Sequence, residues 1–445
     1  MTALIRPRRF TGLVRVPASK SHTIRRLLIA ALAEGLSEIE HPLDSLDTRS
    51  CLSLCRALGA EITEEPWRWI IRGIGPGGKL DESKAGGLRR CNVGNSGTTL
   101  FLGLAAAALG TEPVEFDGDA QIRCRSAGPL LDALAGLGIS VNFAPNGCAP
   151  ITVCGPWKGG RVSMACATSQ YLSGLLLAAP LAPADLVTEI DVPLLNERPY
   201  VEMTLSYLDS QGIAYEAAPD FSFFRIPGGS SWKPMSGPVP GDFSSAAFPA
   251  AAAAITGGPV TLLGLDPADS QGDKAFFGFL EKMGCRVRWE QVPGKQVCCK
   301  PVCLEWHLHV SRKGPLKAGE FDLNATPDLL PALAAVACFA QGDTVMANVA
   351  HARIKECDRI AAMAEELAKL GFKADERPDG LVIHGNGSRG SGGNLKADSQ
   401  GDHRVAMALA AVALGCESPV EIAGAECAAT SYPGFMELLG AEIFS

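Results

Sequence analysis

The feature that most constrains this chain is a segment that recurs six times: a short polar or glycine-containing lead followed by an almost wholly apolar helical run. The copies begin at Ser19 (SKSHTIRRLLIAAL), Asn95 (NSGTTLFLGLAAAAL), Thr168 (TSQYLSGLLLAAPL), Asp242 (DFSSAAFPAAAAAI), Asn324 (NATPDLLPALAAVA) and Asp402 (DHRVAMALAAVAL), about every 75 residues. A helix that is apolar on every side must be enclosed by protein. Each lead supplies Ser, Thr, Asn or Asp, whose side chains accept hydrogen bonds from the unpaired N–H groups of a helix start. Gly35, Gly110, Gly257, Gly342 and Gly415 read as the stops of five of these helices.

A second signature lies between the copies, where a helical pattern ends in glycine and a strand follows, at Gly59, Gly138, Gly212, Gly284, Gly371 and Gly440. These helices are amphipathic. In the fifth, Ile360, Met363, Leu367 and Leu370 share one face while Glu365, Glu366 and Lys369 are expected to face away. Most of the strands that follow have a partner run beyond a turn, as at Trp67, Ile151, Phe221 and Leu381. The unit therefore reads strand, buried helix, strand, surface helix, hairpin. Three units can enclose a ring of helices, so six suggest two lobes joined near the Pro/Gly-rich Ser236–Asp242 stretch; one continuous ring is the alternative, at odds with the usual limit on a single core.

Composition narrows the function. The chain has 445 residues, 47% of them hydrophobic, and a net charge of −8 with no basic stripe, which argues against a general affinity for nucleic acid or anionic membrane. The start, MTALIRPRRF, lacks a signal-peptide core and no apolar run reaches the roughly 18 residues of a membrane span, so a cytoplasmic location is expected. The 15 cysteines show no disulfide framework and are read as reduced packing residues. Cys298, Cys299, Cys303, His307 and His309 fit no standard zinc spacing, and a hairpin is the preferred reading of that stretch.

Several helix starts aimed at one cleft would favour anions there. Lys20 and Arg25 sit in the first, Asp328 in the fifth and Arg404 in the sixth; a cation beside a positive helix end is unfavourable unless an anion or carboxylate neutralises it. Two further charged segments carry Arg123 with Arg125, and Arg353, Lys355, Glu356, Asp358 and Arg359. Glu356 reads either as an ion-pair member or as a positioned proton donor.

The motifs VPASKSHTIR, GNSGTT, GDAQIRCR, ATSQYLSGLLLAAPLA, NERPYVEMTL, GDFSSAAF, NATPD, RIKECDR, GDHRVAMA and ATSYPGF, in this order, resemble those of the enolpyruvyl transferases, and most closely the branch acting on shikimate 3-phosphate. The resemblance implies an inside-out α/β barrel fold of two lobes, each of three βαβαββ repeats around buried helices. One lobe would span residues 19–240 and the other 1–18 plus 241–445, with the active site in the cleft between them. It implies transfer of the enolpyruvyl group of phosphoenolpyruvate to the 5-hydroxyl of shikimate 3-phosphate, no cofactor or metal, and a monomer without nucleic-acid or membrane partners. Carried over residue by residue, Lys20 would touch both substrates, and Ser21 and Arg25 would hold shikimate 3-phosphate. Gly97 and Arg125 would bind the phosphoenolpyruvate phosphate, and Arg359 and Arg404 its carboxylate. Thr168, Ser169, Gln170 and Lys355 would complete the shikimate phosphate pocket. Asp328 would be the general base at the 5-hydroxyl and Glu356 the acid protonating C3.

The chain departs from the family pattern at Phe101, Ser126, Glu197, His351 and Thr430. Glu197 stands in place of a common serine, and a carboxylate near a substrate phosphate is unfavourable. The alternative function is therefore a paralogous enolpyruvyl transferase acting on another cyclic or sugar alcohol. The sugar-nucleotide branch carries a cysteine where this chain has Ala120, and an RNA 3′-phosphate cyclase would need a nucleotide-accepting histidine and a basic surface. A non-catalytic relative would be expected to lack Asp328 or Glu356.

Overall fold

The computed structural model describes residues 1–75, 88–293, 304–387 and 395–444. The chain is a mixed α/β protein that divides into two compact units, Lys20–Val239 and Met1–Ser19 with Pro240–Ser445.

In the unit Lys20–Val239 the helices are α1 (Lys20–Leu32), α2 (Leu46–Ala57), α3 (Gly97–Ala107), α4 (Gly128–Gly136), α5 (Ser169–Ala178) and α6 (Arg198–Gln211). Its three sheets repeat one order. Arg89–Asn92 runs parallel to Val114–Asp117, which is antiparallel to Cys148–Cys154, itself antiparallel to Ser140–Ala144. Gly160–Ser163, Val187–Asp191, Phe223–Pro227 and Glu216–Ala217 follow the same scheme, as do Ser236–Pro238, Glu34–Glu40, Arg68–Ile74 and Glu61–Glu65. Parallel neighbours need a crossover. In the first two of these sheets it is a buried helix, α3 or α5.

The unit containing the C-terminus carries α7 (Phe243–Thr256), α8 (Ala275–Lys282), α9 (Leu330–Ala337), α10 (Arg359–Lys369), α11 (His403–Gly415) and α12 (Phe435–Leu438). Two of its three sheets borrow a strand from the chain's beginning. Gly12–Arg15 pairs in parallel with Val260–Leu263, and Thr2–Ile5 sits between Val420–Ala423 and Glu442–Phe444. Helices α7, α9 and α11 pack pairwise on one another, and every residue of α11 is buried. Alanine-rich faces allow this close approach. In the other unit a Cβ on Gly174 of α5 would lie 2.8 Å from the Phe101 carbonyl oxygen of α3.

The expected helix stops are corrected by the structure. Only Gly257 closes its helix in the left-handed conformation, with φ 71°. Gly35 and Gly342 lie inside strands, Gly110 lies beyond the end of α3, and Gly415 is the last residue of α11. Beyond three of these ends the chain pairs with backbone from elsewhere: Gly75 N–H donates to Ala33 O at 3.1 Å, Gly155 N–H to Gly110 O at 2.8 Å and Gly387 N–H to Ala340 O at 3.0 Å. The outer helices do end as expected, Gly212 capping α6 at φ 69°.

Glu366 is a second correction. It is fully buried instead of facing away, and accepts from the Asp398 backbone N–H at 2.9 Å, Gln400 Nε2 at 2.8 Å and Lys369 Nζ at 2.8 Å. It ties α10 to the loop that leads into α11. The described cysteines are all free. His307 and His309 lie on a strand of the hairpin formed with Cys285–Pro293, while Cys298, Cys299 and Cys303 fall outside the described residues.

Candidate active site

In the unit Lys20–Val239 the expected binding residues gather at the starts of α1, α3 and α5. Lys20 opens α1, buried, with Nζ 2.9 Å from the carboxylate of Asp47 in the first turn of α2. Asp47 is the neutralising partner that sequence reasoning missed, since no spacing rule links the two residues. Arg25 is 1% exposed and donates to Thr204 Oγ1, Ser173 Oγ and the carbonyls of Tyr200 and Ser21, all neutral acceptors. Burial pulls its guanidinium down to about 10. Four of its five donors are thus directed at the scaffold, and its expected role toward substrate reduces to the remaining proton and its charge.

Gly97 is the first residue of α3. A Cβ there would lie 2.6 Å from Arg125 Nη1 and 3.6 Å from Gln170 Oε1, so the missing side chain is what lets Arg125 lie against the helix start. Asn95 Oδ1 accepts from Arg125 Nη2 at 3.1 Å, and Gln170 Nε2 donates to Thr98 Oγ1 at 3.2 Å. Phe101 packs edge-on against Tyr171, with ring centroids 5.0 Å apart, and the Tyr171 hydroxyl donates to the Ser126 carbonyl at 2.6 Å. Phe101 and Ser126 thus belong to one packed cluster around Tyr171.

At α5, Thr168 caps the helix by accepting from the Gln170 N–H at 3.4 Å. Glu197 is 1% exposed and left-handed at φ 58°; its Oε2 accepts from Thr168 Oγ1 at 3.1 Å, Ser169 N–H at 3.1 Å and Ser169 Oγ at 2.8 Å. The side chain that departs from the family pattern is therefore bonded to the two residues expected to hold a phosphate.

In the unit Met1–Ser19 with Pro240–Ser445, Arg359 is the hub. It is 1% exposed and reaches Asp402 Oδ2 at 2.7 Å through Nε, Asp328 Oδ1 at 2.7 Å through Nη1 and Glu356 Oε2 at 2.5 Å through Nη2. Arg404 Nη2 meets the other Asp328 oxygen at 2.8 Å. Asp402 is fully buried and also caps α11, accepting from the Arg404 N–H at 2.7 Å and the Val405 N–H at 3.3 Å. Burial alone would raise the Asp328 carboxyl, but Arg404, Lys355 and Arg359 outweigh it and hold it far below the ordinary carboxylate range. Burial likewise opposes the charge of Arg359, yet Asp402, Glu356 and Asp328 together push its pKa up. The two expected catalytic carboxylates and the two expected carboxylate-binding arginines thus form one cluster. His351 is buried with Nε2 3.1 Å from the Asn324 carbonyl oxygen, and Thr430 ends a 3₁₀ turn, half-buried.

A further buried carboxylate, Asp273, escaped sequence reasoning because it lies in a three-residue 3₁₀ turn with no periodic signal. It accepts from Ser244 Oγ near the start of α7. Burial, then the charge of Asp328, raise it to about 7 against the pull of Arg404.

Residues 5–439 match the family model of EPSP synthase (3-phosphoshikimate 1-carboxyvinyltransferase). A protein of Acetivibrio thermocellus named 3-phosphoshikimate 1-carboxyvinyltransferase is 45% identical, with 100% of this chain and 99% of that protein covered. One of the same name from Ruminiclostridium cellulolyticum is 41% identical over 96% of this chain and 95% of its own length. An EPSP synthase structure from Acinetobacter baumannii superposes with a TM-score of 0.79 at 26% identity, covering 99% of both chains. Whole-length similarity of this order, on a chain whose clustered carboxylates and arginines suit acid–base chemistry on an anionic substrate, makes this protein a member of the EPSP synthase family.

Proposed function

We propose that the chain transfers the enolpyruvyl group of phosphoenolpyruvate to the 5-hydroxyl of shikimate 3-phosphate and releases phosphate, on the shikimate route to chorismate and the aromatic amino acids. The observation that carries this reading is the Arg359 hub, which holds a base candidate and an acid candidate on one guanidinium. Asp328 takes the 5-hydroxyl proton as that oxygen attacks C2 of phosphoenolpyruvate, while Glu356 delivers a proton to C3. The resulting tetrahedral ketal returns the C3 proton to Glu356 and loses phosphate from C2, which carries away the hydroxyl proton held by Asp328, restoring the vinyl group. Arg359 and Arg404 bind the substrate carboxylate. As that carboxylate replaces Asp328 on the two arginines, Asp328 loses partners that depress it, and its proton affinity rises where a base is needed.

Lys20, Gly97 and Arg125 serve the phosphoenolpyruvate side; Ser21, Arg25, Thr168, Ser169, Gln170 and Lys355 serve the acceptor, with Lys20 common to both. The shared strand order of the six sheets supports reading the fold as two lobes of three βαβαββ repeats. The protein acts as a cytoplasmic monomer without a cofactor. No helix among the described residues is long and apolar enough to cross a membrane.

The test is phosphate release from phosphoenolpyruvate and shikimate 3-phosphate, followed by phosphorus NMR. Asp328→Asn and Glu356→Gln are each expected to lower turnover by a factor on the order of 100 or more while keeping the fold. Near-normal rates in both variants would refute the roles. Release with another alcohol, and none with shikimate 3-phosphate, would favour the paralogous transferase, a reading to which the position of Glu197 lends its support.

A further inference from the structure

We propose that Glu197 is an internal occupant of the acceptor-phosphate subsite, and that its displacement sets this chain's affinity for shikimate 3-phosphate. The inference rests on the reading above that Thr168 and Ser169 hold the acceptor's phosphate. Three donors of those residues, the two hydroxyls and the Ser169 N–H, are directed at a single oxygen, Glu197 Oε2. A phosphate needs the same donors. Two anions cannot share them in a buried setting, because like charges at contact distance repel strongly where water is excluded. The phosphate therefore binds when the Glu197 carboxylate turns away.

Glu197 is not required to cap α5, since Thr168 Oγ1 already accepts from the Gln170 N–H. Its backbone holds a left-handed conformation that an unbranched polar residue tolerates, and from this position at the start of α6 the side chain reaches across to α5. Arg198, the next residue, is directed elsewhere, toward Glu202 and the ring of Phe221. A site whose competent state is only a fraction of the population has its apparent dissociation constant raised by the inverse of that fraction. A carboxylate occupying the donors nine-tenths of the time thus weakens acceptor binding about tenfold. Shikimate itself, lacking the phosphate, escapes this competition.

Titration calorimetry of shikimate 3-phosphate and of shikimate against the full chain, Glu197→Ser and Glu197→Gln separates the effects. The dissociation constant for shikimate 3-phosphate is expected to fall about tenfold in Glu197→Ser and by less in Glu197→Gln, whose amide oxygen can still accept but carries no charge. Shikimate binding should change less than about twofold. Unchanged or weaker binding of shikimate 3-phosphate in the folded variants overturns the proposal. If Glu197→Ser fails to fold, Glu197→Gln alone decides. Phosphate release by the parent chain alongside unchanged variant affinities would remove this inference and leave the assigned reaction standing. No release by the parent would remove both.

Discussion

Asp328, half-buried, and Asp273, fully buried, are acidic side chains of one unit, and their surroundings drive them apart. Asp328 is held low by arginines, whereas Asp273, near the start of α7, is raised to about 7 chiefly by burial and then by the Asp328 charge. The unfolded chain releases the Asp273 proton near its ordinary 3.8, so between about pH 4 and 7 the native state binds a proton that the unfolded state lacks. Stability therefore falls as pH rises through that window. Asp273→Asn should match the parent in thermal melts at pH 4 and exceed it at pH 8, by at most about 4 kcal/mol if the whole shift is realised. Parallel curves for parent and variant would contradict this. Asp328 behaves oppositely. Its contribution is present above the ordinary carboxylate range and is lost only in strong acid, so it stays ionised at neutral pH. The residues of this cluster were partly legible in the sequence. Charges at helix starts are conspicuous, which exposed Arg359, Arg404 and Asp328, and Asp402 stood out as a cap. That Asp402 also neutralises Arg359, and that Asp47 neutralises Lys20, was not legible, because such pairings are made across space by different elements.

At the scale of the element, buried and outer helices were separable in the sequence for a plain reason. A helix enclosed on every side carries mainly apolar or small residues, as α3 does throughout and α11 does beyond His403 and Arg404 in its first turn, whereas a helix with one wet face shows a period. Periodicity records which direction a side chain points and not what awaits it there. That is why Glu366, on the nominal polar face of α10, is buried: the end of the strand Leu395–Asp398 and the following Gln400 cover it. Helix ends are hard to read for a related reason, since the chain leaving α1, α3 and α9 is met by backbone from distant sequence. The contact of α5 with α3 gives a prediction. A methyl group at Gly174 would approach the Phe101 carbonyl oxygen to 2.8 Å, closer than side-chain carbons come to backbone oxygens. Gly174→Ala must separate the helices, at a cost of about 1–3 kcal/mol despite the helix propensity gained. Urea denaturation would register it as a lower midpoint. A rise in midpoint would show that the two helices have slack at this contact.

For the whole molecule, the chain's beginning belongs to the unit built mainly from its end. Thr2–Ile5 is an inner strand, with the residues Ala3 and Ile5 fully buried, and Gly12–Arg15 closes the edge of another sheet. A fragment of residues 240–445 alone would expose the backbone donors and acceptors on both strands that flank Thr2–Ile5, and would leave the core under Ala3 and Ile5 open. Unpaired edges of this kind are aggregation-prone. Such a fragment is expected to be insoluble or unfolded. Ser19 N–H donates to the Pro240 carbonyl at 2.8 Å, and Ala18 bridges Gly241 in antiparallel fashion, so the two segments of this unit come together at the point where the rest of the chain departs. A short glycine linker can join them as a hairpin would. Residues 1–19 fused in this way to 240–445 should fold cooperatively, giving a single sigmoidal thermal transition by circular dichroism and dispersed amide resonances. A fusion that stays unfolded, or a 240–445 fragment that melts as sharply as the fusion, would mean that the borrowed strands do not complete this unit's core.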